Sequence, residues 1–219
     1  MFTLRSIANL FCTVILCLLP GACNTPEALA RKAAQGEPIA QYRCAMLIIH
    51  DSAATPQDKQ QAIEWLHQST AAGNRNAPAI LALCYTLGNA TPQDLQEARH
   101  YLTIASDRDN HRAQLLLGHF YANGIGTAPS PAKAVEQIRY AAMQGSPQAA
   151  ELMFLCFYDG FGVRQNKDLA LGWLENAADF GSTDAKHLLS IIKRPEKSPD
   201  FEENVNLLRK KLDFFPQNR

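Results

Sequence analysis

Apolar and small residues recur along this chain in columns. With the sequence laid out at a period of 36 residues, Ala62, Ala98, Ala134 and Ala170 fall in one column, and Ala77, Ala113, Ala149 and Ala185 in a second. Leu66, Leu102, Ile138 and Leu174 make a third, Tyr85, Tyr121 and Phe157 a fourth, and Gly88, Gly124 and Gly160 a fifth. Neighbouring apolar residues keep helical spacing, as in Leu81, Cys84 and Tyr85 or Leu117, Phe120 and Tyr121. A period of this length marks an array of helix hairpins, each too small to bury its apolar face alone. The alanine columns are where helix backbones must approach closely as the hairpins stack.

Polar residues punctuate the same register. Four residues before each alanine of the first column stand Asp58, Asp94, Ser130 and Asn166. All are N-cap types, whose side-chain oxygen accepts from the free N–H groups of a first helical turn. Gln61 and Glu97 then fall at the third helical position, as in a capping box. Three residues before each alanine of the second column stand Asn74, Asn110, Ser146 and Ser182, again cap types. Pro131 and Pro147 follow two of these caps, at the first helical position, which favours proline.

Each repeat therefore holds a helix A, ending near Gly88, Gly124 or Gly160, and a helix B, ending near Gly73, Asp109, Gly145 or Gly181. The tetrapeptide TPQD, at 55–58 and again at 91–94, reads as punctuation: its Asp starts helix B and its Pro shapes the loop before it. Full repeats are expected at 39–73, 74–109, 110–145 and 146–181, with a lone helix B before them and another helix A from 182. A polar linker follows at 194–200. Residues 201–219 hold an amphipathic helix, with Phe201, Val205, Leu208 and Leu212 on one stripe, expected to cap the open end of the stack. The fold class predicted is all-α: a right-handed α–α superhelix, or solenoid, of about four helix-hairpin repeats with a C-terminal capping helix.

The repeats resemble Sel1-like repeats, relatives of the tetratricopeptide repeat, over residues 27–193. The family pattern A-x-x-x-L-G-x-x-Y-x-x-G-x-G is matched by AQLLLGHFYANGIG at 113–126. Its second half, A-x-x-W-x-x-x-A-A-x-x-G, is matched by ALGWLENAADFG at 170–181. The second repeat departs from it, with Gly88-Asn89-Ala90 in place of the G-x-G loop and Asp109 in place of a glycine. The resemblance implies a protein-interaction scaffold. Some secreted members carry a disulfide in every repeat and have been linked to penicillin binding. The cysteine pairs this needs are absent here, so that activity is not carried over.

Composition changes the picture in two places. Lys+Arg and Asp+Glu balance at 21 each, without the basic excess that nucleic acid would favour. The first 22 residues stand apart from the fold: Arg5, then the apolar run LFCTVILCLL at 10–19, then small residues, the layout of a secretory signal. Leu19-Pro20-Gly21-Ala22-Cys23 resembles a bacterial lipobox, in which Cys23 would be lipidated and a short tether would follow at 23–26. Pro20 stands where that pattern prefers an aliphatic residue. The alternative is cleavage near Ala22 with Cys23 left free. Asn24 is not the aspartate associated with inner-membrane retention, so the expectation is an exported protein in the periplasm, anchored by lipid to the outer membrane.

Candidate chemistry is sparse. His50, His67, His100, His111, His119 and His187 show no metal-ligand spacing, and the G-x-G loops follow helices rather than the strand a phosphate loop needs. Cys44, Cys84 and Cys156 fall in core columns and read as small buried hydrophobes. No catalytic, cofactor or metal residue is predicted. In helical solenoids the helix A face takes partners. Its stripe consists of Tyr42, Met46 and Ile49; Ala79, Leu83 and Thr86; Leu115, His119 and Ala122; Glu151, Leu155 and Tyr158. The partner-binding candidates are Tyr42, Met46, Leu83, Leu115, His119, Glu151, Leu155 and Tyr158, unless adjacent helices bury them. The function expected is a non-catalytic scaffold that docks a protein or peptide segment in the cell envelope. The alternative is a cell-wall-directed enzyme or a peptidoglycan-recognising accessory protein.

Overall fold

The computed structural model describes residues 26–192 and 200–216. The expected signal segment, Cys23 and all but the last residue of the expected linker lie outside the described residues. Among the described residues there are eleven α-helices and no strand. The chain divides into two compact units, the first ending at Asp94 and the second beginning at Leu95.

The N-terminal unit holds α1 (Pro26–Ala34), α2 (Pro38–His50), α3 (Pro56–Ala71) and α4 (Ala77–Leu87), each packed on the next. The C-terminal unit holds α5 (Leu95–Asp107), α6 (His111–Asn123), α7 (Pro131–Met143), α8 (Pro147–Asp159), α9 (Lys167–Asp179), α10 (Thr183–Ile192) and α11 (Asp200–Leu212). These helices also pack in chain order. The sequence predicts α11 as a cap on the open end, but it lies against both α10 and α8.

All eight column alanines are buried, as are Leu66, Leu102, Ile138 and Leu174. A methyl group at these positions lets neighbouring helices close up, and the branched residue one turn on fills the space between them. Gly88, Gly124 and Gly160 end α4, α6 and α8 in the left-handed conformation, with φ of 66°, 70° and 77°. Their N–H groups close onto Cys84, Phe120 and Cys156 carbonyls. The next chain turn is also repeated: the N–H groups of Asp94, Ser130 and Asn166 donate to the Tyr85, Tyr121 and Phe157 carbonyls, at 3.0, 2.7 and 2.9 Å.

The helix starts differ in part from the expected caps. Asn110, Ser146, Asn166 and Ser182 accept from the N–H three residues on. Ser130 stands at its cap position but makes no side-chain cap bond. Asn74 sits three residues before α4 and accepts from the N–H groups of both Asn76 and Ala77. The two TPQD copies are used in different frames. In the first, Thr55 is the N-cap, Pro56 begins α3, and Asp58 is the third helical residue of a reciprocal capping box. In the second, Asp94 stands immediately before Leu95, the first residue of α5. The expectation that Asp58 starts its helix is therefore three residues late.

In the C-terminal unit the second glycine of each G-x-G loop forms a seam. Gly126 and Gly162 have φ of 64° and 66°. A Cβ there would lie 2.2 Å from the Leu95 carbonyl oxygen and 2.3 Å from that of Pro131. Each loop thus presses on the first residue of the helix B one repeat back. In the N-terminal unit, Ala90 replaces that glycine. A pocket of about 340 Å³, lined in part by Pro56, Lys59 and Ala90, occupies the corresponding place. Lys59 Nζ spans it to the Asn89 carbonyl at 3.4 Å.

Candidate partner-binding stripe

The helix A stripe has two different characters. In α2 and α4 it is uncharged and accessible. Tyr42 and Met46 are half-buried, Leu83 is 40% exposed and Leu87, one turn further, is 59% exposed. Ile39, at the start of the α2 stripe, is 63% exposed. No charged group stands at these positions, and the Thr86 hydroxyl is taken up by the Ala82 carbonyl.

In the C-terminal unit the same columns are covered by the chain's own end. Leu155 is completely buried in a cluster that takes in Val205 and Leu208 of α11 and Phe214 beyond it. Tyr158 packs edge-on against Phe201 at 6.0 Å and donates its hydroxyl to Glu202. The Arg209 guanidinium lies 5.9 Å from the centre of the Tyr158 ring and grips Asp159 with two hydrogen bonds, Nε–Oδ2 at 2.9 Å and Nη2–Oδ1 at 2.5 Å. Burial and the Glu202 bond push the Tyr158 hydroxyl up to about 12. On α10, Asp184 pairs with Lys211.

Beyond α11 the tail turns onto α6. The Phe214 carbonyl accepts from Asn123 Nδ2 at 3.0 Å and lies 3.0 Å from His119 Nδ1, a second hydrogen bond in the tautomer that carries its proton there. The Phe214 ring meets the His119 imidazole edge-on at 5.3 Å. It fits because position 118 is glycine: a Cβ there would come within 3.3 Å of Phe214 Cζ and of Ile138. Phe215 packs on Phe161 at 4.5 Å. Leu115 is half-buried against the same cluster. A pocket of about 480 Å³ remains between the end of α8 and the tail, lined by Asp159, Phe161, Arg209 and Phe215 among others.

Glu151 is buried where the stripe meets α10. It accepts from the Ser182 hydroxyl, which also caps α10 by accepting from the Ala185 N–H. Desolvation holds the Glu151 carboxyl above the usual carboxylate range, against the opposing pull of the Ser182 bond and of Lys211. Asp184 pushes the same way as desolvation.

The structure thus brings Leu115, His119, Glu151, Leu155 and Tyr158 into one neighbourhood, and Tyr42, Met46 and Leu83 into the other unit. Sequence reasoning missed Asn123, Asp159, Arg209 and Phe214. The available signal was the Phe214-Phe215 pair after an amphipathic helix, together with the missing side chain at Gly118. Cys44, Cys84 and Cys156 are buried free thiols, pushed upward by desolvation, the first two to about 11. Among the described residues no group of three His, Cys, Asp or Glu could hold a metal ion. Nor is any described helix long and apolar enough to cross a membrane.

The Sel1 repeat family model matches residues 38–74, 77–110, 111–146 and 147–182. Its register agrees to within a few residues with the four repeats read from the columns. No curated protein matches the chain. Among solved structures, the chain is similar to c5321, a protective antigen present in uropathogenic Escherichia coli strains and displaying an SLR fold. The two share 29% identity over 74% of this chain and 35% of that one, with a TM-score of 0.67. The chain therefore spans about a third of that protein's length. It is also similar to a Sel1 repeat protein from Oxalobacter formigenes, at 23% identity over 84% of this chain and 77% of that one, with a TM-score of 0.68.

Proposed function

Because the chain belongs to the Sel1 repeat family, whose members are generally protein-interaction scaffolds, we propose that it is an adaptor of the bacterial cell envelope that docks a protein or peptide segment on its helix A stripe. The observation that carries this reading is the accessible, uncharged stripe of α2 and α4: Tyr42 and Met46 on one helix A, Leu83 and Leu87 on the next. Large apolar side chains left at the surface in register favour a partner surface over a solvated one. In the C-terminal unit the same columns hold Leu115, His119, Glu151, Leu155 and Tyr158, but Glu151 and Leu155 are buried there and His119 and Tyr158 are engaged by the chain's own end.

The envelope assignment rests on the sequence before residue 27. A charged start, an apolar run of ten residues and Gly21-Ala22-Cys23 support export, with a lipid on Cys23 holding the protein to the outer membrane. Palmitate labelling of the wild type but not of Cys23→Ala is the expected result. Equal labelling of both would discard the anchor.

The docking reading is tested by cross-linking capture from an envelope extract. The full-length protein should retain a partner that the double variant Met46→Glu, Leu83→Glu loses, with both proteins melting alike because neither side chain is fully buried. The same captured set from the wild type and the double variant would overturn the assignment of the stripe. A protein that captures nothing but turns over wall fragments would overturn the scaffold reading itself.

A further inference from the structure

We infer that residues 200–216 are a built-in ligand of the helix A stripe of α6 and α8, and that the external partner this stripe fits is an amphipathic helix with an aromatic end, built on the same pattern and competing for the same seat. The inference deepens the scaffold reading given above and rests on it for the existence of a partner.

The contacts join a small buried set, Val205, Leu208 and Phe214, to directional polar groups, as those of a recognised segment do. Only Val205 and Leu208 of α11 are buried. Leu207 is 55% exposed, and Phe201 and Leu212 are half-buried. The remaining hold is by groups that read chemistry. The Asp159 carboxylate forks Arg209, the Tyr158 hydroxyl meets Glu202, Asp184 pairs with Lys211, and Asn123 takes the Phe214 carbonyl. Three of the stripe's predicted partner residues, His119, Leu155 and Tyr158, are engaged by this segment or share its buried cluster.

The pattern that fits can be stated from Phe201: apolar at four and seven residues on, arginine at eight, and an aromatic pair at thirteen and fourteen. Acidic residues open the helix and basic ones close it, as its own dipole favours. A thirteen-residue helix of this kind is marginal away from its partner surface. Its seat is held by proximity in the chain: seven residues separate Ile192 from Asp200. A tether that short sets an effective concentration of the order of millimolar. An outside segment must overcome this, so the tail acts as a threshold that only a better match to the pattern can pass.

The test uses full-length protein and a fluorescein-labelled synthetic peptide of residues 200–216, followed by fluorescence anisotropy. Wild type should bind the peptide about a hundredfold more weakly than the release variant Val205→Asp, Leu208→Asp, because its own copy holds the seat. Circular dichroism of the release variant should lose little more than the signal of α11. A second release variant, Arg209→Glu, leaves Val205 and Leu208 in place and should bind more tightly than wild type. Adding Asp159→Arg to it, read with a peptide that itself carries Arg209→Glu, should bring back suppression by restoring the pair with reversed sign. Adding Tyr158→Ala and Asn123→Ala to the first release variant should abolish peptide binding.

Equal binding by wild type and both release variants would overturn the inference. So would a wild-type dimer, seen by light scattering, that exchanges the segment between copies. The experiment needs no outside partner. A peptide that binds as expected while envelope capture stays empty would therefore sink the adaptor reading and leave the self-ligand standing; the reverse pattern would do the opposite.

Discussion

The same helix A columns are open in α2 and α4 and closed in α6 and α8. Residues 46 and 83 face an accessible surface, while residue 155 of the same column is sealed in a core. The covered stretch carries polar handles, His119, Glu151 and Tyr158, and each is matched by a specific group. The open stretch carries fewer: the Tyr42 hydroxyl, and Thr86, whose hydroxyl donates to the Ala82 carbonyl of its own helix. His119 and Tyr158 meet the covering segment itself, whereas Glu151 meets Ser182 at the start of α10.

The sharpest way to break this comparison is to truncate one column once in each unit. Leu155→Ala should destabilise by about 2–5 kcal/mol, the range for a buried leucine that leaves a cavity. Leu83→Ala should change stability by no more than about 0.5 kcal/mol, as at an exposed site. Urea denaturation of the two variants decides it; similar costs would show that the stripe is covered in both units.

The loops give the next largest contrast. Gly162→Ala puts a side chain at φ 66° against the Pro131 carbonyl. It should cost about 1–3 kcal/mol from backbone strain alone, with the clash adding to that. Ala90→Gly, at the equivalent turn of the N-terminal unit, removes a methyl group beside an existing pocket and should be close to neutral. Thermal melts of the pair would sink the seam argument if Gly162→Ala were the milder one.

Arg209→Ala should cost at most about 1 kcal/mol, since the pair with Asp159 is about a third exposed on each side, and the loss should shrink as salt rises. A cost unchanged between low and high salt would show that packing on Tyr158, rather than charge, holds the helix.

The smallest effect is read as a slope. Burial raises the Glu151 carboxyl, so the folded chain binds its proton more readily than the unfolded chain. Wild-type stability therefore falls as pH rises from the ordinary carboxylate range through the raised value, then levels off. Glu151→Gln keeps an acceptor for Ser182 and removes this loss, so its melting temperature relative to wild type should rise from acid to neutral pH. A difference that falls with pH would mean that Ser182 and Lys211 outweigh desolvation.

The repeat itself was legible because it is local. Alanine at 62, 98, 134 and 170 and glycine at 88, 124 and 160 are each demanded by contacts within a hairpin or its neighbour, and such demands recur with the period. The frame of the first TPQD was not legible, because Thr55 and Asp58 are both competent caps three residues apart. Which one takes the role depends on where the preceding loop delivers the chain. The seat of the tail was not legible either. Phe214 meets His119 and Asn123 across more than ninety residues of sequence, and periodicity within repeats holds no information about a segment that is not itself a repeat.

The glycine seam has a mechanical reading. At Gly126 and Gly162 two main chains touch with no side chain between them, so a load carried across that edge meets stiff covalent backbone on both sides. At the TPQD pocket the same edge is bridged by one lysine chain with four freely turning carbons. Stretched along that edge, the N-terminal unit should yield first, and acylating Lys59, which removes its charge, should weaken the bridge to Asn89 further.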